Sequence, residues 1–396
     1  MKKILMIGVI DAGLCNASTL HFFSVAKQFS LCNYVEAVIL KPYKKAIAIA
    51  TQGFKIHMVL KVGFLKLPNF IIGILQIPWI FFHVCRNHFD IVYIRNYNFS
   101  FFLIALLRLT KVHIVSEHNG WISDELLLRK CPSILSWIGE QAQILSAKFS
   151  HSVRVVTLKL GTLFEEKGVK KQKIFYVGNG TDTQAIRPFP RNQALRHLNL
   201  DPNYFYCGFI GTLHAWQGVI FALKALDKIR TVNQKIKLII AGDGPELTSL
   251  KMAAKNRGLE DCVIFLGHIT YPDLKYILNA FDIALAPFII KRNTRIGLSP
   301  LKIRDYAATG LPTIAADIPG VSELAKHQWL ICHPPEDSEA LADIILNLAP
   351  KKAELENMKI IARQYAEKHF DWSNIAKNIM EEIQARVNWL EESVAE

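Results

Sequence analysis

The sequence predicts an α/β protein built from two open parallel sheets in tandem, and three observations carry that expectation. Short apolar runs of strand length alternate with longer stretches of helical periodicity along the whole chain. The alternation comes as two successive series, interrupted by Gly178-Asn179-Gly180 and by the segment Arg187 to Arg191 with its Pro188 and Pro190. At 396 residues, 51% of them hydrophobic, the chain is long enough for two full cores. The expected domains are 1–188 and 189–370, with a final helix over 371–392 that packs back on the first and is long enough to reach across both.

In the first series the strand-like runs are Ile4 to Ile10, Val35 to Leu40, Ile91 to Ile94, His113 to Glu117, Ser152 to Val156 and Ile174 to Val177, with helical stretches between most of them. The second series reads strand Tyr204 to Ile210, helix Gly218 to Val232, strand Ile236 to Ala241, helix Glu246 to Arg257, strand Val263 to Leu266, helix Pro272 to Ala280 and strand Ile283 to Ala286. A helix opening at Ser299, a strand from Thr313, a short strand near Trp329 to Cys332, and helices Ser338 to Leu348 and Lys352 to Lys368 follow. Two such sheets leave a cleft between them, and open parallel sheets bind ligands beyond the carboxyl ends of their strands.

The start, Met-Lys-Lys-Ile-Leu-Met-Ile-Gly-Val-Ile, has a brief apolar run followed by Asp11 without a small-residue cleavage site, and reads as a first strand instead of a signal peptide. Seven cysteines are scattered singly, with no CxxC pair and no Cys/His spacing for zinc, which suggests a reducing compartment. The net charge of +13 is uneven: residues 1–190 hold 23 Lys+Arg against 10 Asp+Glu, and the remainder 24 against 24. Lys41, Lys44, Lys45, Lys55, Lys61 and Lys66 precede a strongly apolar stretch, Leu67 to Cys85. Basic beside aromatic and aliphatic suggests docking on an anionic membrane surface. Pro68, Asn69, Gln76 and Pro78 argue against a spanning helix, and the alternative is two helices buried on a sheet with lysines solvating the outside. No nucleic-acid motif accompanies the charge, so nucleic acid is not an expected partner.

The most telling segment is Leu298 to Ala315. Ser299 is a good N-cap, Pro300 suits the first helical position and Gly310 the stop. A helix so begun leaves the amides of Leu301 and Lys302 unbonded, adds the positive end of its dipole, and sets the Lys302 ammonium nearby, an arrangement suited to phosphate. One turn further in, Asp305 is placed to accept hydrogen bonds from a diol. The plainer alternative is an ordinary capped helix on a sheet.

Five pieces of the C-terminal half, in order, resemble the family 4 retaining glycosyltransferases, which have the two-Rossmann GT-B fold and use nucleotide-activated sugars. They are Phe209-Ile-Gly-Thr-Leu-His-Ala-Trp-Gln-Gly218, Ile240-Ala-Gly-Asp-Gly-Pro245, Val263-Ile-Phe-Leu-Gly267, Ala280-Phe-Asp-Ile-Ala-Leu-Ala-Pro287, and the Leu298 segment with Pro319-Gly320 after it. The first half matches more weakly, through Asp90-Ile-Val-Tyr-Ile-Arg95, Ser116-Glu-His-Asn-Gly120 and Val177-Gly-Asn-Gly-Thr-Asp-Thr183. The resemblance implies a retaining hexosyltransferase of polysaccharide or lipid-linked glycan synthesis, cytoplasmic or peripheral on the inner face of the membrane, with a nucleotide-diphosphate sugar as donor, a glycan or lipid-linked acceptor, and no cofactor or metal.

It also implies roles. Asp305 stands where the family's glutamate holds the ribose, the backbone at Leu301 and Lys302 meets the diphosphate beside Ser299, and Gly211-Thr212 approaches the phosphates. His268 lines the base pocket, His118 reaches the transferred sugar, and the Asp11-Ala12-Gly13 turn serves the acceptor side. The chain departs from the pattern in three places. Gly297 stands where many members carry a glutamate, and Thr212 and Gln217 where many carry an arginine and a lysine that neutralise the leaving diphosphate. Losing one such donor costs on the order of 3 kcal/mol. Lys302 and Arg295, with Lys291 and Arg292, are the candidate replacements, Lys302 first because the helix start fixes its direction. The rival readings are a phosphorylase, for which no pyridoxal lysine has a recognisable setting, and a non-catalytic member that binds nucleotide or a partner glycosyltransferase.

Overall fold

The structure, a computed structural model, describes residues 1–11, 17–42, 53–61, 69–128, 131–291 and 293–395. Its elements begin with β1 Lys3–Asp11, α1 Ala17–Ser30, β2 Tyr34–Lys41, β3 Lys55–Lys61, α2 Asn69–Leu75, α3 Ile77–Asn87, β4 Ile91–Arg95, α4 Phe101–Leu107, β5 His113–His118, α5 Ile122–Leu128, α6 Ser133–Phe149, β6 Ser152–Val155, α7 Leu158–Glu166 and β7 Ile174–Tyr176. They continue with α8 Arg191–His197, β8 Phe205–Ile210, α9 Val219–Val232, β9 Ile236–Ala241, α10 Leu247–Asn256, β10 Val263–Gly267, α11 Tyr271–Ala280, β11 Ile283–Ala286, α12 Asn293–Ile296 and α13 Leu301–Thr309. The chain closes with β12 Thr313–Ala316, β13 Leu330–His333, α14 Ser338–Leu348, α15 Lys352–His369 and α16 Trp372–Ala395.

Two compact units divide the chain, Met1–Gly178 together with Trp372–Glu396, and Asn179–Asp371. The division falls after Gly178, so Pro188 and Pro190 lie inside the second unit and not at its edge. The reason is local bonding: the Thr181 amide donates to Phe370 O at 2.8 Å, and Arg363 Nη1 donates to Thr183 O at 3.0 Å, which ties residues 181–183 to the second unit's own last helix.

The first unit holds a parallel sheet in the order β3-β2-β1-β4-β5-β6-β7. Its inner strands are continuous apolar runs because helices cover both faces, as in Ile4 to Ile7 of β1, all at most 1% exposed. β3 is the element the sequence concealed. Its Lys55-Ile-His-Met-Val-Leu-Lys61 run is an edge strand, half-exposed along its length with a lysine at each end, which discourages pairing with another chain. The apolar stretch that follows is two short helices, α2 and α3, parted at Gln76, with Ile72, Ile77, Ile80 and Val84 buried and Leu75 and Phe82 exposed. Among the described residues no helix is long and apolar enough to cross a membrane. α16 returns to this unit and packs on α1: the Trp372 ring meets His21 edge-on at 5.0 Å, and Arg386 Nη2 donates to Ile174 O at 2.8 Å.

The second unit holds a parallel sheet in the order β10-β9-β8-β11-β12-β13. Strand alternation feeds a core on each face: Ile236, Leu238 and Ile240 of β9 enter one, Ile239 and Ala241 the other. The strand order reverses between β8 and β11, the position where open sheets of this kind part their βα loops and leave a crevice.

Candidate functional site

α13 starts after β11, beside that reversal, and its N-cap side chain bonds none of its first amides. Pro300 is the N-cap with no side-chain cap bond, which corrects the expectation that Ser299 caps the helix and Pro300 opens it. Ser299 Oγ is occupied elsewhere, accepting from the Asn179 amide at 3.2 Å and from Arg304 Nη2 at 2.9 Å. The helix stops at Gly310, whose φ of 75° makes the left-handed cap.

Lys302 lies in the first turn, 8% exposed. Its ammonium donates to Gln217 Oε1 at 2.8 Å and lies 3.6 Å from the centroid of the Phe209 ring. Among the described residues no carboxylate pairs with it, and burial holds its pKa well below the usual lysine value. A buried cation with only a neutral amide and an aromatic face for company is costly unless an anion completes the site. Gly211 makes room for it: a Cβ there would sit 2.8 Å from Lys302 Nζ, and its φ is +134°. The neighbouring turn is fitted just as closely, since a Cβ on Gly242 (φ +148°) would meet Gly211 O at 1.9 Å. The Gly211 amide donates to Ala241 O at 3.0 Å and the Leu213 amide to Asp243 O at 2.9 Å, so the two turns brace each other. Gln217, read as a missing cation, is thus the residue that positions one.

Asp305 is a turn further along. Burial pushes its carboxyl up to about 6, against the Thr181 hydroxyl, which donates to Oδ1 at 2.6 Å, and the charge of Arg304. Arg304, buried, is the residue that sequence reasoning missed here: it donates to Asn179 O and, at 2.9 Å, to Pro300 O, and lies over the Phe370 ring at 5.0 Å. Asn179 Nδ2 in turn donates to Ser299 O at 2.9 Å. The Gly-Asn-Gly-Thr segment, read as part of a linker, therefore builds the wall of this site. Thr212, His268 and Arg295 stand exposed on the segments after β8, β10 and β11, and Leu301 is half-buried at the helix start. The structure joins Gly211, Gln217 and Lys302 in one cluster and Ser299 and Asp305 in an adjoining one, and leaves Thr212, His268 and Arg295 at the surface.

In the first unit Asp11 ends β1, its carbonyl accepting from Thr19 Oγ1 at 3.4 Å, while Gly13 lies outside the described residues. His118, expected at the transferred sugar, is a buried residue of the first unit. It is 1% exposed, its Nε2 is 3.1 Å from Ser116 Oγ, its Nδ1 is 3.3 Å from Gln143 Nε2, and its ring meets Phe164 edge-on at 4.6 Å. Burial lowers its pKa to about 3, against the pull of Glu117, so the ring is neutral and both nitrogens are spent inside the unit.

The polar centre of this unit is Glu117, which sequence reasoning passed over. Buried, it accepts from Tyr93 Oη at 2.5 Å, Arg154 Nη1 at 2.8 Å, Arg95 Nη1 at 3.2 Å and Asn119 Nδ2 at 2.5 Å, with His21 Nε2 3.2 Å away. Burial alone would raise its pKa, and these partners hold it well below the carboxylate range.

Comparison with known proteins finds similarity concentrated in the second unit. Residues 204–350 match the family model described as "Glycosyl transferases group 1". The chain is 26% identical over 296 residues to a glycogen synthase of Mycobacterium tuberculosis, covering 72% of this chain and 66% of that protein. It is 31% identical over 153 residues to the lipopolysaccharide core biosynthesis mannosyltransferase LpsB of Rhizobium meliloti, covering 37% and 41%. The matched stretches therefore span between two-fifths and just under two-thirds of those relatives' lengths. Among solved structures, Anabaena Alr3699/HepE in complex with UDP and glucose superposes with a TM-score of 0.76 at 19% identity, over 97% of this chain and 100% of that one. Residues 204–350 are thus similar to glycosyl transferases group 1, and the two parallel-sheet units share the GT-B fold of these structural neighbours.

Proposed function

We propose that this chain moves a hexose from a nucleotide-diphosphate sugar to a glycan or lipid-linked acceptor, with retention of configuration, in cell-envelope polysaccharide synthesis. The observation that carries this is the buried Lys302 ammonium, unpaired by any carboxylate among the described residues, in the first turn of α13. Helix amides and Lys302 bind the diphosphate, Gly211 and Thr212 approach it through their backbone, and Gln217 aims the ammonium. Asp305 accepts the ribose hydroxyls, His268 adjoins the base and Arg295 supplies outlying charge. The site needs no metal, because these groups provide the positive charge. The solved neighbour with UDP and glucose bound supports a uridine nucleotide. In the reaction the bond from the anomeric carbon to the phosphate oxygen breaks as the acceptor oxygen bonds on the same face, and that phosphate oxygen takes the acceptor's proton.

Incubation with a panel of nucleotide sugars tests this, with slow release of the nucleoside diphosphate expected from at least one donor. Binding of nucleotide without release from any donor would instead favour the non-catalytic reading that Gly297 and Thr212 keep open. Asp305 sets a pH dependence. With its carboxyl at about 6, donor binding weakens as pH falls from 8 through 6, because the neutral acid accepts a diol poorly. In the free protein the sign reverses: an acid raised on folding from its ordinary value of 3.8 favours the folded state more as pH falls from 7 toward 4. A donor KM that stays flat between pH 5 and 8, or a slope kept in Asp305→Asn, would remove Asp305 from the ribose.

The membrane reading rests on the first unit's outer helices. Trp79 and Phe82 on α3, Phe102 and Leu106 on α4, and Ile134 and Trp137 on α6 are exposed, and α4 packs against both α3 and α6. Arg86, Arg108, Lys111 and Lys148 are exposed on the same helices and the turns that follow α4. An anionic bilayer at the cytoplasmic face suits this mixture. Vesicles containing anionic lipid should sediment the protein and neutral ones should not, with Phe82→Asp weakening the effect; equal absence from both would defeat the reading.

A further inference from the structure

Away from the donor site, in the first unit, two histidines and a carboxylate from three separate elements converge. Glu36 of β2, 3% exposed, receives His57 Nε2 of β3 at 2.6 Å and His83 Nε2 of α3 at 2.8 Å, both on the same oxygen, Oε2. The three ligand atoms lie within 4.8 Å of one another. The groups around them hold the set in place. Tyr34 Oη donates to the other carboxylate oxygen at 2.8 Å, and the Asn87 side-chain amide lies 3.1 Å from His83 Nδ1. The Trp79 ring stacks on His83 at 4.8 Å and 8°, and lies 5.4 Å from His57.

From this geometry we propose that Glu36, His57 and His83 form a binding site for a late first-row divalent cation, zinc above all, that serves structure and not sugar transfer. Two imidazoles and one carboxylate are the donor set such ions take, whereas magnesium and calcium call for oxygen ligands throughout. The atoms sit at hydrogen-bonding separation, so a small outward movement of the two partly exposed imidazoles makes room for bonds of about 2.0–2.2 Å. A ring that gives Nε2 to the metal carries its proton on Nδ1, and turning the Asn87 amide over to accept that proton on His83 gives up the bond its Nδ2 donates to His83 O at 2.9 Å. Three protein ligands leave a fourth position for water. The effect is a staple: it joins the edge strand β3 to β2 and α3, closing the chain between residues 36 and 83.

Zinc titrated into the chelator-stripped full chain, followed by calorimetry and competition with a chromophoric chelator, tests the site. One equivalent should bind, the unfolding midpoint should rise with zinc, and copper(II) should quench an emission component lost in Trp79→Phe. His57→Ala and His83→Ala should each weaken zinc at least tenfold and abolish the midpoint shift. Glu36→Gln keeps the side chain's shape, so it reports on binding even where a histidine variant fails to fold, and it should weaken zinc likewise. Binding far below one equivalent, or undiminished in Glu36→Gln and His57→Ala and so owed to thiols such as Cys32 and Cys85, would overturn the proposal. Nucleotide binding is scored separately and need not change.

Discussion

Replacing Lys302 with methionine should lower donor turnover by about 10²–10³ while raising the thermal midpoint of the nucleotide-free protein. The two effects have one cause. In the free protein the ammonium is buried against Gln217 Oε1 and the Phe209 ring with no counter-charge, and burial depresses its pKa. A methionine of similar length fills the space beneath Gly211 without that desolvation, so the folded state loses a burden. On the proposed function, the same ammonium is the fixed charge that meets the leaving diphosphate in a site where Thr212 and Gln217 bring none of their own. Near-normal turnover in the variant would take Lys302 out of the mechanism. A midpoint lowered by several degrees would show that the lysine stabilises the fold instead.

Arg154→Met should destabilise the first unit by about 3–5 kcal/mol, the range for stripping one partner from a buried charge pair. Arg154 is fully buried and donates to Glu117 Oε2 at 2.8 Å, Tyr93 Oη at 2.9 Å, Val177 O at 3.1 Å and Gly178 O at 2.8 Å. Without it the Glu117 carboxylate keeps a partly exposed Arg95 and a His21 whose pKa burial lowers to about 4, leaving that ring neutral near pH 7. Adding Glu117→Gln to the variant should recover part of the loss, since the uncompensated charge is then gone. Denaturant unfolding of the two single variants and the double measures the coupling. A cost for Arg154→Met below about 1 kcal/mol would mean that the pair is no better than a surface one.

The series of strands was legible because parallel strands covered on both faces read as uninterrupted apolar runs, as in Lys3–Asp11 and Ile236–Ala241. β3 was not, because an edge strand of alternating exposure bounded by lysines looks like a basic loop. Within the site, Lys302 could be named from a helix start, a local signal, and Gly211 from the family resemblance. Ser299 was misread because its hydroxyl is taken by Asn179, 120 residues away, and no local rule sees that bond. Arg154 and Glu117 escaped for the opposite reason: a charged residue in a short strand reads as its solvent face, and only the folded sheet shows β4, β5 and β6 pooling Tyr93, Glu117 and Arg154 in one buried spot.

The return of α16 to the first unit has a bearing on how the molecule is made. Residues 179–371 are an insertion within a unit whose last helix is encoded after them. At about 5–20 residues per second a ribosome takes roughly 10–40 s to traverse that insertion. During this time α1 waits without Trp372 and the helical face that follows it. The second unit therefore has all its elements by residue 371, when the first, though its seven strands were made earlier, still lacks α16. The order in which the two units begin and the order in which they are completed are reversed.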